Sequence, residues 1–190
     1  MLIENFENLF EFLADHPQYH ARGSSFYQFI EGLTNSAFHE AQSAFEAGQR
    51  VPLAELGLIS LPYEKMGAID SIDLFGLDEL LMFSFYYRNR DRYKRATDIG
   101  ANIGLHSIIL SLCNFKVEAY EPDPEHHAKL VRNLELNNIT NCTTNEAAVS
   151  DKDSTMQFVR VLGNTTSSHL SGAKANAYGD LEHFDVVVKE

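Results

Sequence analysis

The first fifty residues alternate apolar and polar positions with the period of an amphipathic helix. Apolar side chains recur every three or four positions in residues 3–14, 25–33 and 37–47, and this spacing places them on one face of a helix. Gly48 directly follows the last of these segments and is a typical helix stop. The pattern therefore predicts a helical N-terminal region built from three helices.

A connector is predicted between this helical region and the rest of the chain. From residue 50 to residue 73 the apolar runs are short and are interrupted by residues that break regular structure, namely Pro52, Gly57, Pro62 and Gly67. A broad apolar face returns from about Leu77 and predicts a further helix. We therefore place a boundary between an N-terminal region of residues 1–73 and a main domain of residues 74–190.

The main domain shows strand and helix patterns in alternation. Short apolar strands that end near Ile99 and Glu121 are each followed by a helical segment, and a third strand lies within residues 142–149. The helices are expected at residues 104–113 and 124–137. Such alternation is typical of a parallel sheet, so we predict the α/β class, with a Rossmann-like, doubly wound and mainly parallel sheet.

The C-terminal stretch "HFDVVVKE" at residues 183–190 is an apolar run. We interpret it as a strand or hairpin arm that precedes the final strands of such a sheet, which would leave the sheet truncated. An apolar strand without its neighbour exposes an unpaired edge. Cofactor binding would then be expected to survive more readily than catalytic activity.

Composition and charge narrow the classes of partner. Of the 190 residues, 44% are hydrophobic and 22% are charged, and the formal net charge is −12. Nucleic-acid binding needs clustered cations, so this balance predicts no nucleic-acid partner. The N-terminus lacks the basic residues of a signal peptide, and the two cysteines lack disulfide or zinc spacing. We therefore expect a cytoplasmic protein without a membrane or metal partner, and leave a homo-oligomer open.

The densest motif is "ATDIGANIG", at the predicted turn between the first strand and its helix. Gly100 and Gly104 suit such a turn, but Asn102 replaces the middle glycine that a dinucleotide diphosphate requires. Asp98 would repel a diphosphate and attract the cationic, phosphate-free S-adenosylmethionine. Glu121, 23 residues after Asp98, ends the next strand and can accept hydrogen bonds from ribose hydroxyls. The motif predicts an S-adenosylmethionine site and disfavours an NAD-dependent oxidoreductase.

Three stretches, "DIGANIGLHSIIL", "YEPDPEHHAKLVRNLELNNI" and "NEAAVSD", resemble the nucleotide-binding half of class I S-adenosylmethionine-dependent methyltransferases, and most of all the FkbM family. The resemblance covers about residues 74–170. It implies O-methylation of a hydroxyl on a sugar or on a natural-product-like small molecule. The K-x-D-x-E-G run of that family is missing from this sequence, which puts the acceptor side of the site in doubt.

The resemblance also implies a set of cofactor-binding residues. Those expected around the methionine end are Glu79, Asp98, Gly100, Ala101, Asn102 and Gly104. Glu121 would bind the ribose, and Pro122 and Asp123 would flank the adenosine. Glu146 and Ala147 would approach the adenine edge.

The motifs do not identify the acceptor or a catalytic base. His106 and His169 are weak candidates for a general base, because a hydroxyl acceptor must lose its proton, and a structural role is favoured for each of them. His126 and His127 are predicted on the surface of the helix that follows Glu121. The alternative function is a non-catalytic, Rossmann-like binding module that engages a partner through its N-terminal helices.

Overall fold

The computed structural model describes residues 8–174 and 179–190 of the chain. The helices of this part are α1 (Leu9–Asp15), α2 (Ser25–Glu46), α3 (Leu77–Asn89), α4 (Leu105–Leu112) and α5 (Pro124–Leu136). The strands are β1 (Val51–Pro52), β2 (Leu58–Ile59), β3 (Arg95–Ile99), β4 (Lys116–Tyr120), β5 (Cys142–Asn145), β6 (Ala148–Val149), β7 (Ser154–Val161), β8 (His169–Leu170) and β9 (Leu181–Lys189). None of the helices in these two ranges combines the length and the apolarity needed to cross a membrane.

The N-terminal helices differ from the sequence prediction in one respect. The two helices predicted at residues 25–33 and 37–47 form the single helix α2, which ends just before the predicted stop at Gly48. The polar residues between the two segments do not interrupt it, because the buried Thr34 hydroxyl donates to the carbonyl oxygen of Glu31 at 3.1 Å, within the helix. Residues 3–7 of the predicted first helix lie outside the described residues.

One hydrophobic core extends from the N-terminal helices to the parallel strands. Phe75, two residues before α3, stacks on Phe38 and Phe45 of α2, with ring centroids 4.6 and 5.6 Å apart. Phe10 of α1 and Phe83 of α3 are fully buried in the same core. Burial of such large aromatic side chains stabilises the folded state strongly. The N-terminal helices therefore hold α3 in place directly before the strands that carry the candidate site.

Three parallel strands carry the α/β pattern. β3 pairs with β4 and β4 pairs with β5, all in parallel and in chain order. α4 packs against β3 and β4, α5 packs against β5, and the two helices contact each other. The prediction of alternating helices and parallel strands is confirmed for these elements. The strands end side by side at Ile99, Tyr120 and Asn145, the edge at which open α/β sheets bind ligands.

β1 and β2 pair antiparallel as a two-stranded sheet of the connector, and strands β6 to β9 form a separate, mainly antiparallel sheet, called the second sheet below. Its order is β6-β9-β7-β8, with β9 antiparallel to β7 and parallel to β6. Residues 183–189 of the C-terminal run lie in β9, so the prediction of a strand or hairpin arm there is confirmed, but the expected unpaired edge is wrong because β9 lies between β6 and β7. Ala148, Phe158, Val186 and Val188 form a small separate core on this sheet. The mainly parallel arrangement predicted for the main domain therefore does not extend to these strands, whose short connections suit antiparallel pairing.

Candidate functional site

Two adjoining cavities lie where the parallel strands end. The larger cavity has a volume of about 320 Å³ and the smaller one of about 210 Å³. Gly100, Asn102 and Thr166 line both cavities, so together they form one cleft around the turn that follows β3. Ligand sites commonly measure about 300 to 1,000 Å³, so the cleft is large enough for a nucleoside-sized molecule.

The turn between β3 and α4 adopts positive φ angles, which glycine permits. Gly100, Asn102 and Gly104 have φ angles of 79°, 51° and 92°, a left-handed region that glycine adopts freely. The backbone N–H of Gly100 donates to the carbonyl oxygen of Tyr120 at 2.9 Å and ties the turn to the end of β4. A Cβ atom on Gly104 would lie 2.5 Å from Cδ1 of Leu130. The turn is therefore fixed by β4 on one side and by α5 on the other.

Glu121 joins this turn to the segment after β4. The residue is only 5% exposed; its Oε2 accepts the backbone N–H of Asn102 at 2.7 Å and its Oε1 accepts that of Asp123 at 2.9 Å. Burial raises the pKa of Glu121 to about 7, against the opposite effect of these two hydrogen bonds. Its carboxyl group lines the larger cavity and still has unused lone pairs for ligand donors.

Asp98 holds a negative charge at the base of the turn. It lines the smaller cavity, and its Oδ2 accepts the hydroxyl of Ser107 on α4 at 2.6 Å. In the sheet it lies opposite Ala119, which is fully buried, so its side chain is on the face that α4 covers. Because Ser107 is a neutral donor, it fixes the carboxylate without cancelling its charge.

Asn102 presents an acceptor without a partner. Its Oδ1 atom is buried and has no hydrogen bond to any described residue, while its Nδ2 donates to the sulfur of Met66 at 3.8 Å. Buried polar atoms are normally paired. Because Asn102 lines both cavities, Oδ1 is an acceptor suited to a ligand that carries N–H or O–H donors.

Glu79, His106 and Tyr86 form a hydrogen-bonded chain beside the smaller cavity. His106 Nε2 lies 2.9 Å from Glu79 Oε2, and His106 Nδ1 lies 3.1 Å from the Tyr86 hydroxyl. A carboxylate only accepts, so Nε2 carries the proton and Nδ1 accepts from Tyr86. Burial, followed by the nearby charges of Asp98 and Glu79, raises the pKa of Tyr86 to about 12. Both nitrogens of His106 are thus engaged, and a base role would require Nδ1 to release Tyr86.

A buried ion pair links the cleft to the second sheet, and no local sequence signal indicated it. Arg160 on β7 binds Asp123 in a bidentate manner, with Nε–Oδ2 and Nη2–Oδ1 distances both of 2.6 Å. Arg160 Nη1 also donates to Glu125 at 3.0 Å and to Glu182 at 2.8 Å. Burial alone would raise the pKa of Asp123, but its hydrogen bonds to Arg160, with the neighbouring charges, lower it overall.

The loop between β7 and β8 closes one side of the cleft with hydroxyl groups. Thr165, Thr166 and Ser168 line the larger cavity. The loop rests on the connector, where the backbone N–H of Ala68 donates to the carbonyl oxygen of Gly163 at 2.8 Å. This contact joins segments about a hundred positions apart in the chain, so only the three-dimensional structure identifies the loop as part of the cleft.

Most of the predicted binding residues meet at the cleft. The residues that line it are Asp98, Gly100, Ala101, Asn102, Gly104, Glu121, Pro122, Asp123 and Ala147. Glu79 reaches it only through His106, which lines the smaller cavity. Glu146 lines neither cavity; its side chain is 54% exposed and lies 3.6 Å from His127 Nδ1.

Two of the histidines, His126 and His127, are placed differently from the sequence prediction. His126, predicted at the surface, is buried and lines the larger cavity, because the first turn of α5 faces the second sheet rather than solvent. The neighbouring His127, also predicted at the surface, is largely covered, and its Nδ1 lies 3.6 Å from Glu146 Oε2. His169 lines neither cavity, and its Nδ1 donates to the carbonyl oxygen of Ser167 at 3.0 Å.

Comparisons of the chain with protein families, with curated proteins and with solved structures returned no match. The candidate site therefore rests on the geometry and charge of the cleft. Within residues 8–174 and 179–190, no group of three or more His, Cys, Asp and Glu side chains is arranged to hold a metal ion. The groups that the cleft offers to a ligand are carboxylates, hydroxyls, one amide oxygen and the imidazoles of His106 and His126.

Proposed function

We propose that the cleft binds S-adenosylmethionine and that the protein is a methyltransferase acting on a hydroxyl group of a small molecule. The observation that carries this proposal is the charge of the cleft lining. It contains the carboxyl groups of Asp98 and Glu121, and none of the described residues that line it is Lys or Arg; the charge of Asp123, which also lines it, is compensated by Arg160. A cationic nucleoside without phosphates is the ligand class that this lining favours.

The charge of Asp98 favours a cationic cofactor over one that carries a diphosphate. Two unit charges 4 Å apart interact by about 4 kcal/mol at the effective dielectric of a protein surface site. A diphosphate beside Asp98 would meet this repulsion without any cation to offset it, and Asn102 stands where the fingerprint for dinucleotides has glycine. The sulfonium and ammonium groups of S-adenosylmethionine turn the same interaction into attraction.

Each end of the cofactor has matching groups in the cleft. Asn102 Oδ1 is the unpaired acceptor for the ammonium group, with the charge of Asp98 nearby. Glu121 can accept ribose hydroxyls on its unused lone pairs. We further infer that β3, β4 and β5 belong to a doubly wound, Rossmann-like sheet, since their parallel order and the turn after β3 match its first half.

When bound, S-adenosylmethionine supplies an activated methyl group whose sulfonium leaves as a thioether. The chain's own task is to orient the acceptor oxygen and to receive the hydroxyl proton. Of the described histidines, His106 and His126 line the cleft, and His106 is on the side of Asp98 and Asn102. His106 Nδ1 could take up the proton once the Tyr86 hydroxyl moves away from it, and Glu79 would then stabilise the imidazolium.

Calorimetric titration of the full chain tests the cofactor assignment. S-adenosylmethionine and S-adenosylhomocysteine should bind, whereas ADP and NAD should not. Asp98→Ala and Glu121→Ala should each weaken binding about tenfold or more, the loss expected for a charge-assisted hydrogen bond. Asp91→Ala removes an exposed acid of the same charge outside the cleft and should bind like wild type. Binding of NAD in preference to S-adenosylhomocysteine would refute the assignment.

A non-catalytic binding module is the second candidate function. Large apolar side chains remain exposed on the N-terminal half, including Phe29 on α2 and Phe85 on α3, and such exposure favours contact with a partner. Methylation assays over a panel of hydroxylated sugars and natural products distinguish the two. Tight cofactor binding with no methyl transfer to any of them would favour the module.

A further inference from the structure

A separate cavity, which we call the connector cavity, lies between the connector and the C-terminal ends of α2 and α5. Its volume is about 380 Å³, and it shares no lining residue with the two cavities of the cleft. Phe45 and Ser60 are buried and form its floor. Asn137 accepts the backbone N–H of Ser60 at 2.8 Å and donates to its carbonyl oxygen at 2.7 Å. The connector and the end of α5 are therefore held together at this cavity.

Glu64 of the connector cavity is paired with two cations from α5. Its Oε2 lies 3.1 Å from Lys129 Nζ, and its Oε1 lies 3.7 Å from Arg132 Nη1. Lys129 makes the closer of the two ion pairs. The side chain of Arg132, which lines the cavity, is 57% exposed and has guanidinium donors beyond the single Nη1 contact. One carboxylate against two cations leaves a positive charge in excess, and Arg132 presents this charge to the cavity.

Glu46 supplies a negative charge to the same cavity. Its Oε1 accepts the side-chain amide of Gln42 at 2.9 Å, and no Lys, Arg or His among residues 8–174 and 179–190 forms an ion pair with it. Glu46 is also the last residue of α2, whose last turn has no basic residue. The C-terminus of a helix carries a partial negative charge, so a cation beside Glu46 would be attracted by the helix as well as by the carboxylate.

Apolar surface accompanies these two charges. Pro62, Tyr63 and Leu136 line the connector cavity, and Leu136 remains 41% exposed. An apolar group placed against them would be stabilised by removing this surface from water. A ligand that carried only an amine would leave Arg132 without a counter-charge, and a ligand that carried only an acid would leave Glu46 without one.

We propose that the connector cavity binds a free α-amino acid with a bulky apolar side chain. In this site Arg132 binds the carboxylate, Glu46 binds the ammonium group, and the apolar side chain contacts Pro62 and Leu136. An α-amino acid carries one charge of each sign, which matches the one excess cation and the one unpaired acid of the cavity. The site is distinct from the cleft, so it does not depend on the proposed methyltransferase function.

The test compares three ligands by NMR titration of the ¹⁵N-labelled full chain. They are L-phenylalanine, phenethylamine, which lacks the carboxylate, and 3-phenylpropionate, which lacks the ammonium group. Wild type should bind L-phenylalanine about tenfold more tightly than either analogue, the gain expected for one charge-assisted hydrogen bond. Arg132→Gln should bind L-phenylalanine and phenethylamine equally and keep the preference over 3-phenylpropionate. Glu46→Gln should bind L-phenylalanine and 3-phenylpropionate equally and keep the preference over phenethylamine.

Matched controls and the positions of the shifted resonances locate the site. Arg92→Gln and Glu40→Gln change exposed side chains outside the connector cavity and should keep both preferences. L-phenylalanine should shift the backbone amide resonance of Gly48 and leave that of Gly100, in the cleft, unchanged.

Three results would overturn the proposal. Wild type could bind the three ligands equally, either preference could survive in the variant that should remove it, or the shifts could appear at Gly100 instead of Gly48. Because the titration uses no cofactor, none of these results bears on the proposed methyltransferase function.

Discussion

Removal of the Arg160 guanidinium is the perturbation whose effect on stability follows most directly from the structure. The side chains of Arg160 and Asp123 are 10% and 1% exposed, and two short hydrogen bonds join them. Loss of one partner of such a buried pair leaves a charge without compensation and costs about 3 to 5 kcal/mol. We therefore expect Arg160→Met to lower the free energy of unfolding by about that amount at pH 7.

The stability lost in Arg160→Met should depend on pH, in a direction set by the pKa of Asp123. In wild type the pKa of Asp123 is lowered, so the pair contributes stability above the ordinary aspartate pKa and loses it as the pH falls through the lowered value. Without Arg160, burial should raise the pKa of Asp123 instead. The variant then recovers stability as the pH falls and the carboxyl group binds a proton. The difference between wild type and Arg160→Met should therefore be smaller at pH 4.5 than at pH 7.

Urea denaturation at both pH values measures these differences from the midpoints at constant slope. The double variant Arg160→Met/Asp123→Asn should regain much of the lost stability, because it removes the buried charge and keeps an oxygen to cap α5. Arg88→Met is the matched control: its pair with Asp15 at 3.2 Å is exposed and should contribute less than about 1 kcal/mol. Two results would refute the reasoning. One is a loss in the free energy of unfolding for Arg160→Met no greater than that for Arg88→Met; the other is a loss for Arg160→Met that is equal at both pH values.

Three further predictions concern the cleft. Gly104→Ala should destabilise the protein by about 2 kcal/mol or more in urea denaturation, because its Cβ would meet Leu130 at 2.5 Å and its φ of 92° disfavours alanine. Gly67→Ala should weaken the binding of S-adenosylhomocysteine in calorimetry more than Gly57→Ala. A Cβ atom at Gly67 would lie 2.2 Å from the Gly163 carbonyl oxygen and displace the hydroxyl-lined loop, whereas a Cβ atom at Gly57 would meet nothing within 4 Å. The affinity for S-adenosylhomocysteine should rise as the pH increases from 6 to 8, because Glu121, with its pKa raised to about 7, accepts ribose hydroxyls more strongly once it has lost its proton; a flat profile would contradict this.

The parts of the site that the sequence predicts are those set by local patterns. A helix or strand period, a glycine turn and an acid at a strand end can each be read within about ten residues. Parallel strands in succession bring their carboxyl ends together, so the positions of Asp98 and Glu121 in the sequence are enough to expect both at one edge of the sheet. The structure places them on either side of the same turn, with Glu121 bonded to the N–H of Asn102.

The rest depends on contacts between distant segments. Arg160 reaches Asp123 only because the second sheet packs against the start of α5, and no pattern near either residue indicates a partner 37 positions away. His126 and His127 occupy consecutive positions on one helix, and only the packing of that helix decides which one lines the cavity. For α2, the short polar interruption in the pattern could not show that Thr34 bonds within the helix.

The buried pair also changes the charge that a ligand meets. Arg160 pairs with Asp123 and compensates its negative charge. The uncompensated charge of the cleft therefore comes from Asp98 and, above about pH 7, from Glu121. Asp98 lines the smaller cavity, whereas Phe158 of the second sheet lines the larger one. Under the proposed function, the cationic end of S-adenosylmethionine would be attracted towards Asp98 and its neutral ring would contact apolar surface beside Phe158. The same charge would disfavour a ligand that carries phosphates between two such ends.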